Sequence, residues 1–282
     1  MVVAPLGTLK PAVYVQTLGC CVLTGILWGL HETGWWTPSL PLAFHEVGGA
    51  LMALTLGFRA NAAYARFWEG RTLWGGIVNA SRNLHRLLAT HGGAQLGADT
   101  APWIALFAHS TKRTLRGEPI AADAERLLPA DRAADLAGAP HPALHAARAL
   151  SEHIQAASGE LGPAMTHRAE QELSALVDRL GGCERILKTP TPVGFVVLVR
   201  QIVLAFLVTL PLSIVDELSA WSVLVVGLVA FPVFAIEALG SELDDPFGRD
   251  PNDLPLDRIT ETIERDVTEQ AAASTRYGVV VS

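Results

Sequence analysis

Residues 11–30 read PAVYVQTLGCCVLTGILWGL, twenty positions without one charged side chain. Coiled as a helix at 1.5 Å per residue, they reach roughly 30 Å, the depth of a bilayer's hydrocarbon core. A second apolar run, Leu40 to Phe58, is interrupted only by His45 and Glu46. The connector between them, from His31 to Pro38, carries Trp35 and Trp36, which suit the aromatic belt at a membrane interface. Two later runs, Val193 to Val215 and Leu218 to Leu239, flank Asp216-Glu217, which reads as a tight turn. The pattern predicts four membrane helices in two hairpins.

Composition agrees with a chain partly in lipid. Of 282 residues, half are hydrophobic and 17% charged, and the mean hydropathy is +0.32. An ordinary soluble domain has about 25% charged residues. A net charge of -7 excludes a nucleic-acid binder built on a basic surface, and disordered, collagenous and disulfide-scaffold classes fail as well. Cys20, Cys21 and Cys183 are too few and too ill-spaced for a disulfide framework or metal knuckle. The first ten residues lack a secretory signal's charged start and cleavage site, so the first run is expected to stay in place.

Charge sets the orientation. Residues 59–192 hold 15 of the 21 Lys and Arg, whereas both short connectors hold none. The positive-inside rule therefore places that block and both termini in the cytoplasm. The expected organisation is an N-terminal segment with the first hairpin (1–58), a cytosolic helical domain (59–192), the second hairpin (193–240) and a cytosolic tail (241–282). Within the block, Leu73 to Ala89 continues the second span with apolar residues at helical spacing. Trp103 to Phe107 heads another helix with Pro102 in its first turn, and helices follow at His141–Ala157 and Thr166–Leu187. Gly92-Gly93, Gly138–Pro140 and Gly159–Pro163 punctuate them. The tail reads as a charged, Pro-rich stretch, a short helix and a loose end from Thr268. No strand alternation is visible.

Ionisable residues inside a bilayer are costly and often functional. Spacing by four aligns Glu46, Ala50, Leu54 and Phe58 on one helix face. A carboxylate followed by apolar and small side chains could line a narrow, dry constriction. Periodicity alone favours plain packing against another helix instead, and four helices enclose a channel only if copies of the chain ring an axis.

The stretch FRANAAYARFWEGRTLWGGIVNASRNLHR (58–86), then KTPTP (188–192) and LDDPFGRDPNDLPLD (243–257), resemble the bestrophin family in its bacterial branch. The resemblance follows nearly the whole chain in order. It implies an all-α membrane protein assembled as a homopentamer, a bestrophin-like channel passing monovalent ions down their gradient. The axial pore would have a hydrophobic neck at Ala50, Leu54 and Phe58 and a cytosolic aperture at Thr191, before Pro192. Ala50 is smaller than family necks usually carry, and Thr191 offers a hydroxyl where a large aliphatic is usual. Glu46 would stand at the outer mouth, where five carboxylates attract cations. The wider family passes chloride and other anions, some bacterial relatives pass cations, and Glu46 points to a cation preference here. The resemblance also implies a candidate weak calcium site at Asp245, Asp250 and Asp253, although Arg249, Pro251 and Asn252 break the acidic run. The alternative is an acidic loop packing the tail on a neighbouring subunit. No cofactor is required. Expected partners are further copies of the chain, membrane lipids and monovalent ions, with no nucleic acid. The expected location is the bacterial plasma (inner) membrane, multi-pass.

Other signals are weaker. His141 and His145 share the spacing of paired metal ligands, but the zincin glutamate is absent. Gly48-Gly49 suits close helix contact. The arginines from Arg59 to Arg86 read as inside-positive anchors and partners of Glu69 and other acids, Arg200 as a snorkelling or paired cation, and Glu237 as the last turn of an emerging helix. No nucleophile with a base and no cofactor fingerprint is present, so an enzyme is not expected. The rival function is a non-conducting membrane scaffold or regulator of the same fold; a secondary transporter would show inverted repeats or broken helices.

Overall fold

The computed structural model describes residues 9–35 and 39–277, the side chains of the last five excepted. Trp36, Thr37 and Pro38 lie outside the described residues, so the aromatic-belt expectation can be placed only at Trp35, which is exposed. Among the described residues every regular element is helical. The helices are α1 (Pro11–Glu32), α2 (Leu42–His91), α3 (Gly93–Arg116), α4 (Ala121–Leu127), α5 (Ala130–Gly138), α6 (Pro142–Ala156), α7 (Ser158–Lys188), α8 (Val193–Thr209), α9 (Pro211–Leu218), α10 (Trp221–Leu243) and α11 (Leu256–Tyr277).

They form two compact units. The first comprises residues up to Phe67, Pro190–Pro246 and Asp250–Asn252, and the second holds Trp68–Thr189, Phe247–Arg249 and the chain from Asp253. In the first unit α1 packs on α10. Its core is drawn from Val13 and Cys20 of α1, Met52 and Leu56 of α2, Val199, Val203 and Leu207 of α8, and Val226, Ala230 and Phe234 of α10. Three segments are long and apolar enough to cross a membrane: Pro11–Glu32, Val193–Leu218 and Trp221–Leu243. The stretch expected as the remaining span, Leu40 to Phe58, opens the 50-residue helix α2 and is not among them. His45 and Glu46 near its start and Arg59 just past its end keep the beginning of α2 less apolar than the others.

Several local expectations need correction. Asp216 and Glu217 lie inside α9; the turn is at Ser219-Ala220, where Ser219 takes the left-handed φ of 48°. Pro211 opens α9, where its fixed φ suits a first helical turn, and the helical path through Leu210 carries the chain past the two acids. Pro102 is not in a first turn either. It sits in the interior of α3, because the chain re-enters a helix directly after the break at Gly92-Gly93, with Gly93 at φ 85°. The tail after Thr268 continues α11 through Tyr277, and α4 and α5 are further short helices within the second unit.

The expected breaks at Gly92-Gly93 and Gly159–Pro163 fall where glycine is needed, whereas α5 ends at Gly138 without a left-handed residue. Gly162 has φ 71°, outside the range of ordinary side chains, and divides α7 just before Pro163. Leu73 to Ala89 runs on within α2, with Trp74, Ile77, Leu84 and Leu88 fully buried. Helix α3 buries Trp103, Ile104, Leu106 and Phe107 in the same unit, packed on α6 and α11. Cys183 is free and buried there, and burial pushes its thiol up to about 12, which makes it a packing residue rather than a nucleophile.

Candidate functional site: the open face of the second helix

Helix α2 presents two opposite faces within the first unit. His45, Met52, Leu56, Arg59 and Ala63 are buried, none more than 7% exposed. Glu46, Ala50, Leu54 and Phe58 are all exposed, Leu54 at 56% and Phe58 at 63%. Val47 and Leu51 widen this apolar arc. Soluble proteins seldom leave such a patch bare. The structure thus brings the four expected pore-lining residues of α2 onto one open face, turned away from the chain's own core.

Two sets of contacts hold that face in register. Near the start of α2 the His45 ring is gripped on both nitrogens, Nε2 at 3.0 Å from Thr209 Oγ1 and Nδ1 at 2.7 Å from Ser213 Oγ. Thr209 gives its own proton to the Ala205 carbonyl at 2.7 Å. It therefore accepts from His45 Nε2–H, and the Ser213 hydroxyl pairs with Nδ1. The imidazole so bridges α2 to α8 and α9 on either side of Pro211. Beside it, a Cβ on Gly49 would lie 3.3 Å from the Phe206 ring, the close helix contact expected of that glycine pair. His45→Ala removes both bonds and leaves the Ser213 hydroxyl unpaired in an apolar setting. It is expected to cost about 2 kcal/mol, read as a lower Tm of the purified protein in detergent; a loss below about 0.5 kcal/mol would show that the grip is idle.

At the far end of the face Arg59, the residue after Phe58, is 3% exposed. Its Nη2 lies 3.2 Å from Asp244 Oδ2 and 3.3 Å from Ser241 Oγ. Arg66 reaches the same residue, with Nε 3.6 Å from Oδ1 and 3.2 Å from the Asp244 carbonyl oxygen. Thr191, the expected aperture residue, donates its hydroxyl to Asp244 Oδ1 at 2.6 Å. It is therefore a tethered side chain and not a free hydroxyl. Arg200 Nε donates to Glu237 Oε1 at 2.7 Å, which supplies the partner that Glu237 lacks within its own helix.

The acidic loop is divided. Asp250 accepts from Lys10 Nζ at 3.0 Å, and Lys10 also lies 3.8 Å from the nearly buried Glu242. Asp245 and Asp250 belong to the first unit and Asp253 to the second. Among the described residues no group of three His, Cys, Asp or Glu is placed to hold a metal. The expected histidine pair separates in role. His141 caps α6 and its Nε2 lies 2.6 Å from Glu184 Oε1, while the His145 ring lies against Trp103. Glu69 pairs with Arg185, and Arg82 Nε with Asp266 at 2.7 Å. The grip on His45 and the role of Asp244 were missed in the sequence, since each joins residues more than 160 positions apart or with no recognisable spacing. For Arg200 and Glu237 a signal existed: antiparallel hairpin helices bring opposite charges at matching depths together.

Comparison with known proteins bears on the chain as a whole. Residues 1–269 match the family described as Bacterial/Fungal Bestrophin protein. The chain is 37% identical to a voltage-dependent anion channel-forming protein of Nostoc sp. (strain PCC 7120), across 95% of this chain and 90% of that one. It is 33% identical to the voltage-dependent anion channel-forming protein YneE of Escherichia coli (strain K12), across 81% and 76%. A solved bacterial bestrophin homologue from Klebsiella pneumoniae superimposes with a TM-score of 0.86 at 28% identity, covering 92% of this chain and 98% of that one. The chain belongs to the bacterial and fungal bestrophin family.

Proposed function

We propose that the chain forms a homopentameric ion channel of the bacterial plasma membrane, with both termini in the cytoplasm and four membrane-crossing helices per copy. The opening of α2 is the remaining span, less apolar than the others because one face is turned to water. Ala50, Leu54 and Phe58 form the neck, Thr191 the cytosolic aperture and Glu46 the outer mouth. The observation that carries this reading is the unbroken open face of α2, a carboxylate followed by apolar and small side chains on a helix anchored from behind at both ends.

The named relatives are anion channel-forming proteins, and a general passage for monovalent ions follows from them. A ring of five Glu46 carboxylates weights the passage toward cations, since charge at a narrow mouth concentrates counter-ions. Purified protein in liposomes is expected to release a trapped salt without a coupling gradient; silence would favour a scaffold. Glu46→Gln should move the reversal potential in a salt gradient toward anion selectivity, changing the permeability ratio about threefold or more. An unmoved potential would take Glu46 out of the mechanism. Calcium is not needed on this reading, because the Lys10 ammonium already sits against Asp250; calorimetry with calcium chloride should show no binding heat.

A further inference from the structure

The two narrow points of the proposed conduit lie far apart in sequence, at Phe58 and Thr191, and one carboxylate touches the segments that carry both. Asp244 caps α10 directly after Leu243. Its Oδ2 faces Arg59, the neighbour of Phe58 in α2, at 3.2 Å. Its Oδ1 accepts the Thr191 hydroxyl at 2.6 Å, and Arg66, two turns further along α2, holds both its side chain and its carbonyl.

Neither partner can easily shift alone. Thr191 precedes Pro192, the N-cap of α8, whose φ is -53°. A residue before proline is confined to extended backbone, so ring and hydroxyl bond fix Thr191 from two sides. Arg59 is buried and its Nε has no hydrogen-bond partner among the described residues. Its other contact is the Ser241 hydroxyl at 3.3 Å. A buried guanidinium that loses its carboxylate is left strongly uncompensated. Ser241 in turn accepts from Arg200 Nη2 at 3.4 Å, and Glu237 stands next to it. Glu237, Ser241 and Asp244 thus follow one face of α10, with the arginines of α2 and α8 against them.

We propose that Asp244 is a positioning residue that ties the inner end of the α2 neck to the Thr191 aperture, so that the two constrictions move as one body. Its functional half rests on the conduit reading above; its structural half does not.

Hydrogen exchange and permeation test the two halves separately. Asp244→Ala should accelerate amide exchange in the peptides spanning 57–66 and 189–196 together, by about tenfold, the effect of losing a hydrogen bond to a charged group. Asp244→Asn keeps an oxygen for Thr191 and should restore much of the protection at 189–196 but less at 57–66. Circular dichroism and size in detergent check that both variants remain folded and assembled. Acceleration in one peptide only, or in neither, overturns the tie. In liposomes, Phe58→Ala and Thr191→Val are combined and the permeability ratio between a small and a large ion is read. The double variant should depart from the product of the single effects by about threefold or more, and the departure should vanish when Asp244→Ala is added. Independent effects with Asp244 intact overturn the coupling. Silent wild-type liposomes overturn the conduit reading and the functional half with it, while the exchange result still decides whether Asp244 joins the segments.

Discussion

Shortening Leu54 and Phe58 to alanine together is expected to raise the unitary conductance by about threefold or more while leaving the fold intact. Both side chains are more than half exposed on α2, so the single chain loses little packing when they are truncated. In a ring of five copies they would surround the axis with carbon and offer nothing to replace an ion's water shell. An apolar constriction resists ions by dewetting, and removing its bulk admits water. The opposite face of the same helix provides the control. Met52 and Leu56 are buried in the core of the first unit, and their truncation should cost about 2–5 kcal/mol of stability each without raising conductance. Single-channel recording and thermal unfolding separate the two faces. Equal conductance in the wild type and the double variant would show that the open face meets lipid or a partner helix and not the ion path.

That face was legible because a helix repeats every 3.6 residues, so the spacing of Glu46, Ala50, Leu54 and Phe58 alone puts them on a common side. The strongly apolar spans were legible from length and hydropathy, which a bilayer dictates directly. What escaped was decided by long-range or competing local terms. The chain stays helical past Asp216-Glu217 and turns only at the left-handed Ser219, a position that neither charge nor hydropathy marks. At α11 a short helix was expected and only its continuation past Thr268 was missed: Ala271 follows Ile263 and Val267 at helical spacing and is buried like them, yet the polar residues around it read as a loose end. The grip of Thr209 and Ser213 on His45 spans 164 and 168 positions, and a single sequence carries no mark of such a pairing. The same holds for Asp244, whose partners Arg59 and Arg66 lie before the long middle segment of the chain and Thr191 after it.

Acidification from pH 7 to pH 4 is expected to loosen α11 within the second unit. This helix packs on α3, and its carboxylates meet cations there. Asp257 accepts from Arg116 at 2.8 Å and from Lys112 at 3.0 Å. Glu264 accepts from Arg126 at 2.8 Å and from the His109 Nε2–H at 2.7 Å. The Arg116 guanidinium, with Lys112, holds the Asp257 carboxyl well below its ordinary 3.8. Arg126, followed by His109, holds Glu264 below its ordinary 4.5. Burial lowers His109 from 6.5, against the pull of Glu264 and Asp123. All three groups therefore bind fewer protons folded than unfolded, so each contributes stability that is complete above its unfolded value and is lost as pH falls through the lowered one. The loss begins near pH 6.5 with His109 and deepens below 4.5 as the carboxylates follow. Asp257 is half exposed, and solvent screening reduces its share. The combined effect should be about 2–3 kcal/mol, or roughly 5–10 °C in the unfolding midpoint of this unit. Glu264→Gln with Asp257→Asn should lower the midpoint at pH 7 and flatten its fall below pH 4.5, leaving the His109 part of the fall above it in place, and protection of the α11 amides should follow the same course. An equally steep fall below pH 4.5 in that double variant would place the acid-sensitive carboxylates elsewhere in the unit and leave α11 held chiefly by Leu256, Ile263 and Val267.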